Sequence, residues 1–263
     1  MTSGTQVLLV IAQDGGLQGP GWVLADLRCS VTPGQFLNAH PFLKDLRSCE
    51  ATALLRHSAI KSFPARGVVF LRDDEADGVY GILDGSVMVT IESSGGGDLI
   101  LRLLGPGQLF GELAVLDGRC RTASAIARSP CSFLFIPRAV FLDVLATHPD
   151  VAAAVMSALS DYLRRSTRLI LEATFLDVAR RLARQLLELS GSSPAGEGLC
   201  TTLQVSHIQI SQYELACMLG VSREIVNRHL TSWRRAGLVE ISRGRIRVLD
   251  GQAIAALARE TSH

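Results

Sequence analysis

Phe110-Gly111-Glu112-Leu113-Ala114-Val115-Leu116-Asp117-Gly118-Arg119-Cys120-Arg121-Thr122-Ala123 is the stretch that decides how this chain is read. A carboxylate follows a glycine, and nine residues later an arginine precedes a small hydroxyl residue. Glycine lets the backbone approach a ligand closely. A glutamate accepts hydrogen bonds from a sugar hydroxyl, and the planar fork of an arginine matches a phosphate. Gly111, Glu112, Leu113, Arg121 and Thr122 therefore describe a pocket for a ribose joined to a phosphate. The competing reading is a surface ion pair between Glu112 and Arg121, which contributes little. The whole cassette, set between strands, favours the nucleotide reading.

Outward from the cassette, short apolar runs alternate with turn signals. They are Gly67–Leu71, Val79–Val89 broken by Asp84-Gly85, Leu99–Leu104 and Ser132–Ile136. This spacing predicts an antiparallel β barrel or jelly roll over about 61–135. Pro149 suits the first turn of a helix. Behind it Ala152, Val155, Leu159, Tyr162, Ser166, Leu169 and Ala173 recur at steps of three and four. That is an a/d seam of three heptads and predicts a two-stranded coiled coil, hence a homodimer. The alternative is a helix packed on its own barrel. Ser166 lies on this seam with Thr167 beside it, and a polar residue there serves register or binding.

Farther on, Ser211-Gln212-Tyr213-Glu214 fits a capping box. Leu215, Ala216 and Leu219 face inward from that helix, Gly220 turns the chain, and Ser222 caps a second helix with Val226 and Leu230 inward. Arg223, Glu224, Asn227 and Arg228 are left on its outer face. Arginine suits guanine O6/N7, and glutamate accepts from cytosine N4. A hairpin follows, with Val239 and Ile241 paired by Ile246 and Val248 around Arg243-Gly244. Arg243, Arg245 and Arg247 are placed to meet phosphate, the alternative being that they only solvate the hairpin. Between Val221 and Leu249 seven arginines face two glutamates, the footprint of a DNA-contacting module within a chain of net charge +1.

The 263 residues allow two cores, and 48% hydrophobic with 19% charged residues is a globular profile. No apolar run reaches the length of a membrane span, and Val7–Ala12 lacks the basic flank of a signal peptide. The cytoplasm is the expected compartment, with no membrane partner. Six cysteines are scattered without a C-x-x-C pair, so a metal site has no support and reduced thiols are expected. No nucleophile–base constellation suggests an enzyme.

The 110–123 cassette and the 215–230 bihelical unit together resemble the CRP/FNR superfamily of bacterial transcription regulators, typified by catabolite activator protein. The resemblance covers about residues 40–250. It implies an α+β fold: an N-terminal cyclic-nucleotide-binding β jelly-roll barrel, a long dimerisation helix and a C-terminal winged helix-turn-helix. The implied divisions are a sensor domain (40–148), dimerisation helix (149–174) and DNA-binding domain (175–263); residues 1–39, which match nothing in the family, are expected to form a loose N-terminal extension. The resemblance places Arg121 on a cyclic phosphate, Thr122 on phosphate or base, Glu112 on the ribose 2′-hydroxyl, and Ser166 and Thr167 on the nucleobase. Family frequency favours cAMP as allosteric ligand, with cGMP as the alternative because Arg121-Thr122-Ala123 also resembles cGMP-binding cassettes. Ser222, Arg223, Glu224 and Arg228 match the family pattern for a palindromic TGTGA-type half-site in double-stranded DNA. RNA polymerase is the further partner the family implies. The family usually has glycine near Asp73-Asp74, and aspartate tolerates the same turn. A constitutive DNA-binding protein with an empty barrel is the rival reading.

Overall fold

A computed structural model of the protein describes residues 30–41, 43–44, 46–92, 97–190, 207–242 and 244–259. Two helices, α1 (Pro33–Ala39) and α2 (Ser48–Arg56), precede eight strands of the first domain. The strands are β1 (Ala59–Phe63), β2 (Val68–Phe70), β3 (Gly78–Asp84), β4 (Val87–Glu92), β5 (Asp98–Leu104), β6 (Leu109–Phe110), β7 (Ser124–Ala127) and β8 (Cys131–Pro137). A short helix, α3 (Glu112–Asp117), interrupts them between β6 and β7. The strands form two antiparallel four-stranded sheets, ordered β1-β8-β3-β6 and β2-β7-β4-β5. This is the expected jelly roll. Tyr80, Phe110 and Phe133 fill it, with Tyr80 and Phe110 stacked at 5.4 Å.

The turn at Leu71–Asp74 holds without glycine. Asp73 takes φ 70°, while the Asp74 carboxylate accepts from the Leu71 amide at 2.7 Å. Asp73 N–H also donates to the Arg121 carbonyl at 2.9 Å, and Arg121 N–H to the Asp74 carbonyl at 2.8 Å. The turn is thereby tied to the cassette arginine through its backbone.

Residues 30–39, read from sequence as the end of a loose extension, belong to the first domain. Thr32 and Gln35 form a capping box for α1, with Pro33 in its first turn. Phe36 and Leu37 are both 1% exposed. Gly81 makes room for Phe36: a Cβ there would stand 2.4 Å from the ring. A seven-residue helix offers too short a period to read, so its anchor is a glycine in a distant strand. Residues 1–29, the rest of the expected extension, lie outside the described residues.

Helices α4 (Arg138–Thr147) and α5 (Pro149–Phe175) follow the barrel, and α6 (Val178–Leu189), capped by Asp177, comes after them. The second domain continues through β9 (His207–Ile208), α7 (Gln212–Leu219), α8 (Arg223–Arg235), β10 (Val239–Ser242), β11 (Arg245–Val248) and α9 (Gly251–Arg259). One core joins Leu182 and Leu186 of α6 to Leu215, Leu219, Val226, Leu230, Val239, Ile246 and Ile254. Among the described residues no single helix is long and apolar enough to cross a membrane.

Part of the expected α5 seam packs on the chain's own barrel. Val155 is 3% exposed, and Leu159 packs against the barrel core. Met156, Leu163 and Ile170 instead stand 60%, 67% and 66% exposed. With Ala153, Ser160, Thr167 and Thr174 they follow the same three–four spacing, on an exposed face. The helix is apolar on two faces one residue apart, and only the barrel decides which is covered.

Candidate nucleotide cavity and DNA-reading face

Gly111 sits at φ 85° and caps α3, and a Cβ on it would lie 2.7 Å from an Arg121 terminal nitrogen. The conformation and the close approach both call for glycine at this point. Behind it opens a cavity of about 560 Å³, counted to its mouth, lined by Gly111, Glu112, Leu113, Arg121 and Thr122. All five cassette residues are thus brought to one place.

Arg121 is 2% exposed. Its Nη1 donates to the Gly111 carbonyl at 2.7 Å, and its Nη2 to the Gly78 carbonyl at 2.8 Å and to Asp77 Oδ1 at 2.9 Å. The guanidinium lies 4.2 Å from the Phe70 ring centroid. The sequence reading gave this charge mainly to a phosphate. In the fold it also neutralises Asp77 and closes α3 onto β3, because a buried guanidinium must satisfy its donors. Its Nε is buried with no acceptor, so of its five N–H donors the one at Nε and one at Nη1 are left unused.

Glu112 opens α3 at the cavity wall. Burial pushes its carboxyl up, and its own backbone hydrogen bond and the charges of Arg102 and Arg121 pull back only in part. Arg102 and Tyr162 also line the cavity, and sequence reasoning had not assigned Arg102 a role. An alternating strand pattern gave no sign that this β5 residue turns inward to the ligand side. Ser166 and Thr167 are not among the lining residues. Ser166 is half-buried and Thr167 exposed, with the Thr167 hydroxyl donating to the Leu163 carbonyl at 3.0 Å. Tyr162, one turn earlier, is the α5 side chain that reaches the cavity within this chain.

The second domain presents the outer face expected of it. Ser211 and Glu214 form the reciprocal box: Glu214 N–H donates to Ser211 Oγ at 3.1 Å, and Ser211 N–H to Glu214 Oε2 at 2.7 Å. Gly220 turns at φ 63°. Ser222 occupies the N-cap position of α8 but its side chain makes no capping bond. Arg223, Glu224, Asn227 and Arg228 are exposed, whereas Val226 and Leu230 are fully buried. In the hairpin Val239 pairs with Val248 and Ile241 with Ile246. Arg245 is exposed, Arg247 forms an ion pair with Glu240, and Arg243 lies outside the described residues.

The two domains touch. Leu103 of β5 packs against the core of the second domain. Arg128, after β7, forms an ion pair with Glu214 and donates to the Gln209 carbonyl at 2.6 Å. Burial alone would raise the Glu214 carboxyl, but the hydrogen bonds from Arg128 and Ser211 outweigh it and hold it below its ordinary value.

A nucleotide-type cavity joined to a capped bihelical unit defines a ligand-responsive DNA-binding regulator. Residues 60–148 match the family model of the cyclic nucleotide-binding domain, and residues 180–257 that of the Crp-like helix-turn-helix domain. The cAMP-activated global transcriptional regulator Vfr of Pseudomonas aeruginosa is 30% identical over 202 residues, covering 75% of this chain and 92% of that protein. The CRP-like cAMP-activated global transcriptional regulator of Mycobacterium tuberculosis is 29% identical over 207 residues, 79% of this chain and 91% of that one. Among solved structures, the c-di-GMP responsive global regulator CLP of Xanthomonas campestris superposes with TM-score 0.65 at 26% identity, over 78% of this chain and 100% of that chain. The chain belongs to the CRP/FNR family: it is a cyclic-nucleotide-responsive, DNA-binding transcription regulator.

Proposed function

We propose that a 3′,5′-cyclic purine nucleotide enters the cavity and that its binding controls how a homodimer engages a palindromic, TGTGA-like operator. The observation that carries this reading is the convergence of Gly111, Glu112, Arg121 and Thr122 on one cavity wall. The cyclic phosphate meets Arg121 and Thr122, with the orphan Nε as one free donor. The ribose 2′-hydroxyl donates to Glu112, whose ionised form benefits from that bond.

The exposed face of α5 is covered by a second copy of the chain. Met156, Leu163 and Ile170 supply its apolar positions, and Thr167 lies on the same face. From there Thr167 reaches the base in the partner's cavity, with Ser166 steering its backbone. Two α8 helices related by the dimer axis then present Arg223, Glu224, Asn227 and Arg228 to successive major grooves, roughly 34 Å apart. Ser222 holds the α8 N-terminus close to a DNA phosphate, and Arg243 and Arg245 hold the flanking backbone.

Strand β5 supports a direct route from ligand to DNA. Alternate residues point to opposite faces of a strand. Arg102 turns to the cavity while Leu103 packs on the DNA-binding domain. A ligand that binds the DNA-competent arrangement more tightly shifts the population toward it.

Sedimentation of full-length Leu163→Glu tests the dimer and its seam together. A charge at the centre of the exposed face should convert the dimer to monomers and abolish operator binding. A wild-type monomer, or a variant that stays dimeric, would remove α5 as the interface.

A further inference from the structure

We propose that Arg102 is the base-reading residue of the cavity and that it selects guanine over adenine. This rests on the nucleotide reading above and deepens it. Within that reading the phosphate lies at Arg121 and Thr122, and the ribose at Glu112. The base therefore lies beyond Glu112, along the wall built by β5 and α5.

Arg102 occupies that wall. It lines the cavity together with Tyr162 of α5. Glu112 feels the charges of both Arg102 and Arg121, whereas Arg102 feels Glu112, Arg165 and Tyr162. Tyr162 and Arg165 are both α5 residues, so Arg102 faces the α5 side of the cavity.

The two arginines also differ in what they already hold. Arg121 gives its terminal nitrogens to Gly111, Gly78 and Asp77. Among the described residues the half-buried Arg102 side chain makes no hydrogen bond or ion pair, while its backbone pairs with Val89 of β4. Burial lowers its pKa, but a guanidinium stays charged under all ordinary conditions. With no protein acceptor taken, its donors are open to a ligand in the cavity it lines.

The chemistry of the fork chooses the ligand. Guanine offers two adjacent acceptors, O6 and N7, and an arginine meets both at once. Adenine offers N7 beside an N6 amino group, which sets donor against donor. Arg102 therefore accepts a guanine edge and opposes an adenine one. Thr122 acts elsewhere on the ligand, at the phosphate end.

Calorimetry of the full-length protein with cAMP, cGMP and cIMP separates the alternatives, with Arg102→Met as the variant because it keeps length without donors. Cyclic IMP retains O6 and N7 but lacks the 2-amino group. Wild type should bind cGMP and cIMP more tightly than cAMP. In Arg102→Met the cGMP-to-cAMP affinity ratio should fall roughly tenfold, and the cIMP-to-cAMP ratio with it. Equal losses for all three nucleotides would overturn the base assignment and reduce Arg102 to a charge balancing Glu112. A cGMP preference in wild type that cIMP does not share would also overturn it, since the 2-amino group would then carry the selection. If wild type binds none of the three, the nucleotide reading itself fails and Arg102 fails with it. Thermal melts of the variant, taken alongside, show that the barrel remains folded.

Discussion

Arg121 and Arg228 are both arginines set to meet phosphate or base, yet the two ends of the molecule hold them in opposite ways. Arg121 is 2% exposed and already bonded to two carbonyls and a carboxylate. Arg228 is exposed on the outer face of α8. The cavity is organised before its ligand arrives, so little is lost in ordering side chains on binding. The DNA face is a set of exposed cations over a buried apolar core. Removing a residue from the first region should therefore disturb both fold and binding. In the second it should disturb binding alone.

The largest expected effect comes from Arg121→Ala. It removes a charge-assisted ligand contact, at roughly 1.5–3 kcal/mol, and also strands the Gly78 and Gly111 carbonyls. Both the calorimetric nucleotide affinity and the melting temperature should fall. A variant that loses affinity with an unchanged melting temperature would break the comparison, because Arg121 would then serve the ligand alone.

Arg223→Ala and Arg228→Ala should each relax sequence choice at guanines of the half-site, by roughly 1–3 kcal/mol per lost bidentate contact. Their melting temperatures and nucleotide affinities should match wild type. Selection from a random duplex library reads the specificity, and an unchanged consensus would show that another element reads the bases.

Arg128→Met tests the junction between the two regions. Its loss frees Glu214, so the link from nucleotide to DNA should weaken by a few-fold while α7 keeps its Ser211 cap. The Glu214 carboxyl is held below its ordinary value, so its contribution is present at neutral pH and is lost as pH falls through the native pKa. The coupling in wild type should accordingly stay level from neutral pH down to the ordinary carboxylate range. Measuring nucleotide-dependent DNA affinity at several pH values checks this, and a drop near pH 6–7 would point to another group.

Arg245→Ala should have the smallest effect. It sits on the hairpin, exposed, where a phosphate contact changes affinity for all sequences about equally. The dependence of log affinity on log salt should flatten by roughly one unit. An altered consensus would move Arg245 from backbone to base contact.

The same contrast explains what was legible in the sequence. The DNA-reading unit could be read almost residue by residue. Its signals are local: the Ser211–Glu214 box, the Gly220 turn and the alternation around Gly244 each lie within a few residues. The cassette was equally legible as a string, and its five positions do meet at one cavity. What could not be read was the set of partners brought from far along the chain. Asp77 reaches Arg121 across 44 positions, and Arg102 enters from a strand whose alternation does not say which face is wet. The packing of α5 was hidden for a related reason. Val155 and Met156 are both apolar, and only the barrel against Val155 tells which one is covered within the chain. Phe36 needed Gly81, four elements and 45 positions away.

Fluorescence anisotropy with a labelled palindromic duplex carrying two TGTGA half-sites bears most directly on the central claim, that nucleotide in the cavity controls DNA binding. Full-length protein is titrated at one fixed salt concentration, without nucleotide and with saturating cGMP or cAMP. The preferred nucleotide should tighten binding by about tenfold or more, and Arg121→Ala should abolish that gain. Equal DNA affinity with and without nucleotide, while calorimetry shows the nucleotide bound, would contradict the account.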